Sequence, residues 1–488
     1  MTSFKAKIFQ NVIYLGSAKA AAYIGGALTS MIVARNLSPS DFGVVAFAWI
    51  FIGFLGHFSD LGLERAAVRS PSLTQKSLRT AFTLKLILGV GAFLAVYVIA
   101  PFAPHIFQHP ATGDVMRVLA FNFLLITIAF MPTVTLTREQ NFRLLVIPGI
   151  LCGVARSIFA IVLVLSGWTY WSVVLADVGA TVVSSIAIQF MRTIPVGFHF
   201  DWHEAREYLR FGTPLVGSGI LVFLLLNLDN LLVGSSMGSV QLGYYALAFT
   251  WGSFICGLLY EIIHNVLFPA FCAIQREPAA MRHWYLKAVD LVAFLSLIVN
   301  TTLLANAHYF LVTVLGAGSD KWAPATLSLE ILCIYGIIRA TTEPLLNVIM
   351  ALGRTRTLLQ ANLLAVLIEV VLLLLSVKTG KLELVACVVL FAYATKALVY
   401  IPFLRHHLGI TVRDLVEQLW PVIPAFLAGY GVTLLLPASL GNSLATLAVR
   451  ALFTALVVAF VHGFCTRFRC FQEASGMIFE KFAWVRAH

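Results

Sequence analysis

The sequence predicts an all-α polytopic membrane protein with about fourteen transmembrane helices. Three observations carry that reading. The chain of 488 residues is 60% hydrophobic and only 11% charged. Its apolar residues run unbroken for lengths that suit a helix across a bilayer. The basic residues between those runs collect on alternate connections.

A soluble domain of this size carries roughly a quarter of its residues as charges. The shortfall means that lipid is the solvent around most of the chain. In hydrocarbon every backbone N–H and C=O must be paired internally, so only helices or a closed barrel can span. Barrel strands alternate apolar and polar residues over about ten positions. Here the apolar runs are continuous and about twice that length, which selects helices.

The runs place spans at 9–34, 42–63, 80–101, 114–136, 143–165, 169–192, 209–235, 240–272, 285–306, 323–352, 355–378, 382–404, 415–437 and 441–466. Threading them alternately puts Lys5, Lys7, Arg65, Arg69, Lys76, Arg79, Arg138, Arg192, Arg206, Arg354, Arg405, Arg413 and Arg467 on one face. The other face receives only Arg35, Lys321, Lys378 and Lys381. Positive residues are retained in the cytoplasm, so both termini are expected there. The same rule accounts for the formal net charge of +11 without a nucleic-acid partner, since no soluble stretch is long enough to build a basic face. The apolar N-terminal segment is too long for a cleaved signal and carries Lys19, so it reads as a retained helix.

Two features divide the chain. The connection 193–208 leads into an amphipathic segment, Asp201–Arg210, suited to the membrane surface. Phe42-Gly43-Val44-Val45-Ala46-Phe47-Ala48 recurs as Leu242-Gly243-Tyr244-Tyr245-Ala246-Leu247-Ala248, two hundred positions on. Each copy opens the second helix of its half, and repeated halves are a common transporter plan. The expected organisation is an N-terminal lobe at 1–192, the connection 193–208 and a C-terminal lobe at 209–404. Residues 405–488 then hold two extra helices and a tail.

No hydrolase, metalloprotease or phosphate-loop motif is present, and no cofactor is called for. His199, Asp201, His203 and Glu204 cluster in the amphipathic connection, but an interfacial polar face explains them more simply than a metal. None of the seven cysteines shows a C-x-x-C spacing, and free thiols are expected. No catalytic residue is assigned.

The informative groups are ionisable residues inside the membrane. Each costs about 2.5 kcal/mol or more at the bilayer centre unless it meets a partner or a wet cavity. Lys19, Arg156, Asp177, Arg339, Glu343, Glu369 and Lys396 lie near mid-membrane depth, and Asp229 lies toward the outer half of its helix. Arg450 lies within the last span. Arg339 and Glu343 are one helical turn apart and can neutralise each other. Glu369 and Lys396 lie on successive antiparallel helices and can do the same. Lys19 and Arg156 have no acid at helical spacing. They read either as cavity cations for an anionic ligand or as partners of Asp177. Asp177, Asp229, Glu343, Glu369 and Lys396 serve ion coupling or structural pairing.

Several short motifs then acquire meaning together. Leu37-Ser38-Pro39-Ser40-Asp41-Phe42-Gly43 resembles the segment after the first helix of Wzx-type polysaccharide flippases. Asp60-Leu61-Gly62-Leu63 is similar to a turn of the same family. Asp229-Asn230-Leu231-Leu232-Val233-Gly234, followed by Leu242-Gly243-Tyr244-Tyr245, resembles the stretch opening their second lobe, and Gly353-Arg354-Thr355 also fits. The resemblance covers nearly the whole chain and is nearest to the colanic-acid exporter branch.

It implies the fold of the multidrug/oligosaccharidyl-lipid/polysaccharide exporter superfamily: two six-helix lobes around a central cavity, plus two C-terminal helices. It implies a flippase in the bacterial inner membrane. Its substrate would be an undecaprenyl-diphosphate-linked oligosaccharide, moved from the cytoplasmic to the periplasmic face by alternating access, for exopolysaccharide or O-antigen biosynthesis. Partners would be membrane lipid and the polysaccharide polymerase and export machinery. Lys19, Arg156 and Arg339 then become candidates for the diphosphate. The rivals are a cation-coupled multidrug antiporter of the same fold, which the unpaired cations oppose, and a membrane glycosyltransferase or polymerase, which the short outer loops oppose.

Overall fold

The computed structural model describes residues 21–70, 74–107, 109–139, 141–194, 197–435 and 443–466. Among them the regular structure is helical throughout, with no strand. Among the described residues, twelve helical stretches are long and apolar enough to cross a membrane. The chain is a multi-pass membrane protein.

The longer helices, in order, are α1 (21–36), α2 (Pro39–Asp60), α3 (Leu63–Arg69), α4 (Gln75–Ile99), α5 (Thr112–Arg138), α6 (Phe142–Leu165), α7 (Trp171–Met191) and α8 (Trp202–Gly252). They continue as α9 (Phe254–Ala273), α10 (Pro278–Ala305), α11 (Thr326–Ala351), α12 (Thr355–Ser376), α13 (Leu382–Val399), α14 (Ile401–Leu408), α15 (Val412–Leu419), α16 (Val422–Leu435) and α17 (Leu444–Cys465).

Two departures from the predicted spans have simple causes. The first predicted span begins outside the described residues, which show only its second part, α1. The predicted span 209–235 and the first part of 240–272 are joined in the long run α8, where the backbone leaves helical geometry only at Gly238, with φ 85° and ψ 177°, and the rest of 240–272 forms α9. A side chain would strain that conformation, and glycine does not. Ser38 occupies the equivalent point of the first repeat. There the chain leaves α1 and re-enters as α2 through an N-cap: Ser38 Oγ accepts from the Asp41 amide and the Asp41 carboxylate accepts from the Ser38 amide. Pro39 at the first helical position has no amide hydrogen to leave unpaired. The two halves thus solve the same break differently.

The chain divides into two compact units. The first comprises the described residues up to Leu247 together with Val366–Val385. Its core includes Leu63, Ala67, Leu78, Phe82, Phe130, Met131, Ala205 and Tyr208. Tyr208 closes it by a 2.5 Å hydrogen bond between its hydroxyl and Ser77 Oγ, which ties the amphipathic connection to α4. The second unit comprises Ala248–Ala365 and the described residues from Ala386 onward. A core of this unit joins Phe271, Met281, Tyr285, Leu345, Val348, Ile349, Tyr400 and Phe403.

Outside these cores lies a large apolar surface. Ile158, Val162 and Leu165 on α6 are more than half exposed, as are Val371 on α12 and Leu398 on α13. A soluble monomer rarely exposes so much contiguous apolar area. Hydrocarbon accounts for it, since lipid tails solvate such side chains as well as a core does.

Candidate functional site

The motifs of the first repeat serve local structure. Ser38, Pro39 and Asp41 start α2, as described. The Asp60 carboxylate accepts from Lys85 Nζ at 2.9 Å, and the same ammonium donates to the Ser59 carbonyl at 3.2 Å. Leu61 ends α2 in the left-handed region at φ 42°, Gly62 follows at φ 66°, and Leu63 is fully buried. Lys85 is nearly buried and was not among the residues singled out from the sequence. Its signal was a lone lysine two turns inside an apolar run.

The second repeat adds a polar knot. Asp229 is almost fully buried, and its Oδ2 accepts from the Tyr245 hydroxyl at 2.7 Å. Its Oδ1 accepts from the Asn230 amide and side chain at 2.7 and 3.1 Å. The two ends of the Asp229-Asn230 and Leu242-Gly243-Tyr244-Tyr245 motifs therefore meet across the break at Gly238. Tyr245 was read from the sequence as part of a repeat, with no role as a partner of Asp229.

Arg156 and Asp177 are brought together. Arg156 Nη2 lies 2.7 Å from Asp177 Oδ1, joining α6 to α7, and Asn122 of α5 donates to Asp177 Oδ2 at 2.8 Å. The pairing alternative weighed for Arg156 is thus the arrangement present. Its side chain nevertheless remains 50% exposed, while that of Asp177 is 12% exposed. Lys19 lies outside the described residues.

In the second unit Arg339 and Glu343 are one turn apart on α11, with Nε and Oε1 separated by 3.6 Å. Arg339 Nη1 donates to the Tyr335 hydroxyl at 3.2 Å. Its guanidinium carbon stands 5.9 Å from the ring centres of both Tyr335 and Tyr393. Those rings meet edge-on at 4.9 Å. Lys396 Nζ lies 4.9 Å from the Tyr393 ring centre, so two cations share one aromatic face system. The sequence marked both cations and missed both tyrosines, because a tyrosine in an apolar helix carries no charge signal. Lys396 is buried as well; Glu369, in the part of α12 that belongs to the first unit, is 1% exposed.

Asp290 and His462 are further buried ionisable groups not singled out from the sequence, and Arg450 is also buried, with its guanidinium over the Tyr309 ring at 4.4 Å. The His199–Glu204 cluster is spent locally: Asp201 Oδ1 caps a helix by accepting from the amides of His203 and Glu204. Among the described residues no group of three or more His, Cys, Asp or Glu side chains is placed to hold a metal. What the ionic sites offer is fixed charge inside the membrane, held by hydrogen bonds and aromatic faces.

A family model described as polysaccharide biosynthesis protein matches residues 32–326. The chain is 22% identical over 420 residues to the lipopolysaccharide biosynthesis protein WzxC of Escherichia coli (strain K12), covering 83% of this chain and 82% of that protein. It is 26% identical over 340 residues to the teichuronic acid biosynthesis protein TuaB of Bacillus subtilis (strain 168), covering 67% and 68%. The lipid II flippase MurJ in an inward closed conformation superposes with a TM-score of 0.74 at 12% identity, over 93% of this chain and 99% of that one. An inward-facing multidrug resistance MATE transporter of the MOP superfamily gives a TM-score of 0.66 at 15% identity, over 82% and 98%. At such identities the superpositions show the fold that the motifs implied.

Proposed function

This chain belongs to the polysaccharide biosynthesis protein family, and from that premise we propose that it flips a lipid-linked oligosaccharide across the bacterial inner membrane. The curated relatives are named for building lipopolysaccharide and teichuronic acid, and the superposed flippase is named for lipid II. Taken together, saccharide assembly in the relatives and a lipid substrate in the superposed flippase support a sugar on a lipid carrier as the substrate class. An undecaprenyl diphosphate carrier fits the cationic groups this chain keeps inside the membrane.

The observation that carries the reading is Arg156. It sits in the middle of an apolar helix, held by Asp177, with half of its side chain still accessible. An arginine facing hydrocarbon would be costly. One that lines a wet path, pinned by a neighbouring carboxylate, keeps donors available for a passing phosphate. Arg339, paired with Glu343 and hydrogen-bonded to Tyr335, is proposed as a second such group. Lys19 is proposed as a third cation.

In this mechanism the head group crosses along protein polar groups while the polyprenyl tail stays in lipid. Alternating access opens the path first to the cytoplasm and then to the periplasm. No bond is made or broken, so the protein acts as a transporter. Asp229, Glu343 and Glu369 are the carboxylates available to couple a cation gradient. Both termini are cytoplasmic, and the products pass to a polymerase and export machinery.

The test is transfer of a fluorescent undecaprenyl-diphosphate oligosaccharide across proteoliposomes. Wild type should move the head group. Arg156→Ala, Arg339→Ala and Lys19→Ala should each slow it by about tenfold, the loss of one charge-assisted contact. No movement by wild type would end the flippase reading. Wild-type rates in all three variants would end the residue assignment alone.

A further inference from the structure

Beyond α14 the chain makes a sharp corner into α15. Helix α14 ends at Gly409, whose φ of 62° reverses the backbone. Thr411 then caps α15, with the Asp414 carboxylate accepting from the Thr411 amide at 2.7 Å. Arg282 fixes the corner by donating to the Gly409 carbonyl at 3.0 Å and to Asp414 Oδ1 at 2.9 Å. The corner is rigid and built.

Helix α15 has two unlike faces. Val412, Val416 and Trp420 repeat at every fourth position and are 53%, 59% and 47% exposed. The stripe continues down the following span as Ile423 and Leu427, 64% and 60% exposed. Arg413 and Glu417 occupy the polar side and pair at 2.8 Å. An exposed apolar stripe running into a membrane span, with a tryptophan at the join, marks a helix lying in the interface.

Between α14 and α15 lies a groove of about 810 Å³, lined by Ile401, Pro402, Arg405, His406, Val412 and Arg413 among others. No carboxylate is among its lining residues. Asp414 is turned onto Arg282, so its charge is spent at the corner. Arg405 and His406 make one wall basic, joined by Arg413, whose charge is shared with Glu417, and the other wall is apolar.

We propose that this groove binds the headgroup phosphate of an anionic phospholipid. Arg405 and Arg413 donate to the phosphate oxygens, and Ile401, Pro402 and Val412 pack against the start of an acyl chain. His406 widens the basic wall. Charge complementarity and the continuous apolar stripe select a membrane lipid over a soluble anion, which would not need the stripe. The lipid would hold α15 against the bilayer and so brace the last two spans.

The test uses the full chain purified in detergent and presented with phosphatidylglycerol or phosphatidylcholine of identical acyl chains, with bound lipid counted by native mass spectrometry. Phosphatidylglycerol should be retained preferentially. Arg405→Gln and Arg413→Gln should each weaken that preference by about fivefold, the effect of one basic side chain at an anionic surface. Glu417→Gln, which frees Arg413 with no loss of positive charge, should keep or strengthen it. Equal retention of the two lipids would overturn the proposal. So would unchanged selectivity in the double glutamine variant. Complete displacement by millimolar inorganic phosphate would reassign the groove to a free anion, and displacement by equimolar polyprenyl diphosphate would reassign it to the transported substrate; either result overturns the phospholipid assignment.

Discussion

Gly43 and Gly243 are packed reciprocally. A Cβ on Gly43 would stand 1.9 Å from the Ser239 carbonyl oxygen, and a Cβ on Gly243 would stand 1.8 Å from the Pro39 carbonyl oxygen. Each glycine therefore lies on the first residue of the other repeat's helix. Ser40 and Ser239 hydroxyls seal the contact at 3.0 Å. The same residues that repeat in the sequence meet in space. The contact lies within the first compact unit, which extends to Leu247.

Gly43→Ala and Gly243→Ala should each destabilise the protein by about 1–3 kcal/mol or more, because the obstacle is backbone and cannot swing aside. Gly91→Ala is the control, since nothing stands within 4 Å of its added Cβ. Thermal unfolding in detergent should fall for the first two and hold or rise for the third. Equal melting temperatures in all three would show that the clasp opens without cost.

Arg156 and Asp177 should behave as a unit. Asp177→Ala leaves the guanidinium without its carboxylate, and Arg156→Ala leaves the carboxylate with only Asn122. The double variant should be more stable than the sum of the single losses implies, with a coupling of about 0.5–3 kcal/mol. A double-mutant cycle on melting midpoints reads it. Additive losses would mean that the 2.7 Å contact contributes nothing.

Tyr245→Phe removes the hydroxyl that donates to Asp229 and leaves the ring. Loss of a hydrogen bond to a charged group costs about 1.5–3 kcal/mol. If Asp229 couples an ion gradient, transport in this variant should also shift its pH dependence. A drop in stability with an unchanged pH profile would confine Asp229 to a structural role.

Tyr393→Leu should weaken the Arg339 and Lys396 arrangement by about 1 kcal/mol beyond the change in burial, since it deletes a face shared by two cations. Tyr393→Phe keeps that face and loses the hydroxyl's hydrogen bond with Tyr335, a cost of about 0.5–1.5 kcal/mol. The comparison of the two variants by thermal unfolding isolates the aromatic contribution. Equal loss in both would assign the effect to the hydroxyl.

Tyr208 carries a pH prediction. Burial pushes its hydroxyl above the ordinary tyrosine value. The folded state then holds its proton where the unfolded chain releases it. Stability from this group is full below the ordinary value and declines as pH rises through and beyond it. Alkaline unfolding followed at several pH values should show a shallower decline in Tyr208→Phe. An identical slope would remove Tyr208 as the cause.

The sequence by itself determined the membrane character, the helical class and the repeat, because each rests on hydropathy and on local spacing. The capping box at Ser38 and Asp41 and the turn at Leu61-Gly62 are likewise written in a few adjacent residues. It also found most of the charged groups, since an ionisable side chain in an apolar run announces itself. Only the tertiary structure decided their partners. Whether Arg156 met Asp177 depended on the rotation of two helices about their axes, and that is set by packing along their whole length. Tyr245, Tyr335 and Tyr393 became visible for the same reason: a neutral ring gains its role from what stands opposite it. The reciprocal seats of Gly43 and Gly243 likewise needed coordinates, because a missing side chain shows its purpose only against the backbone that takes its place.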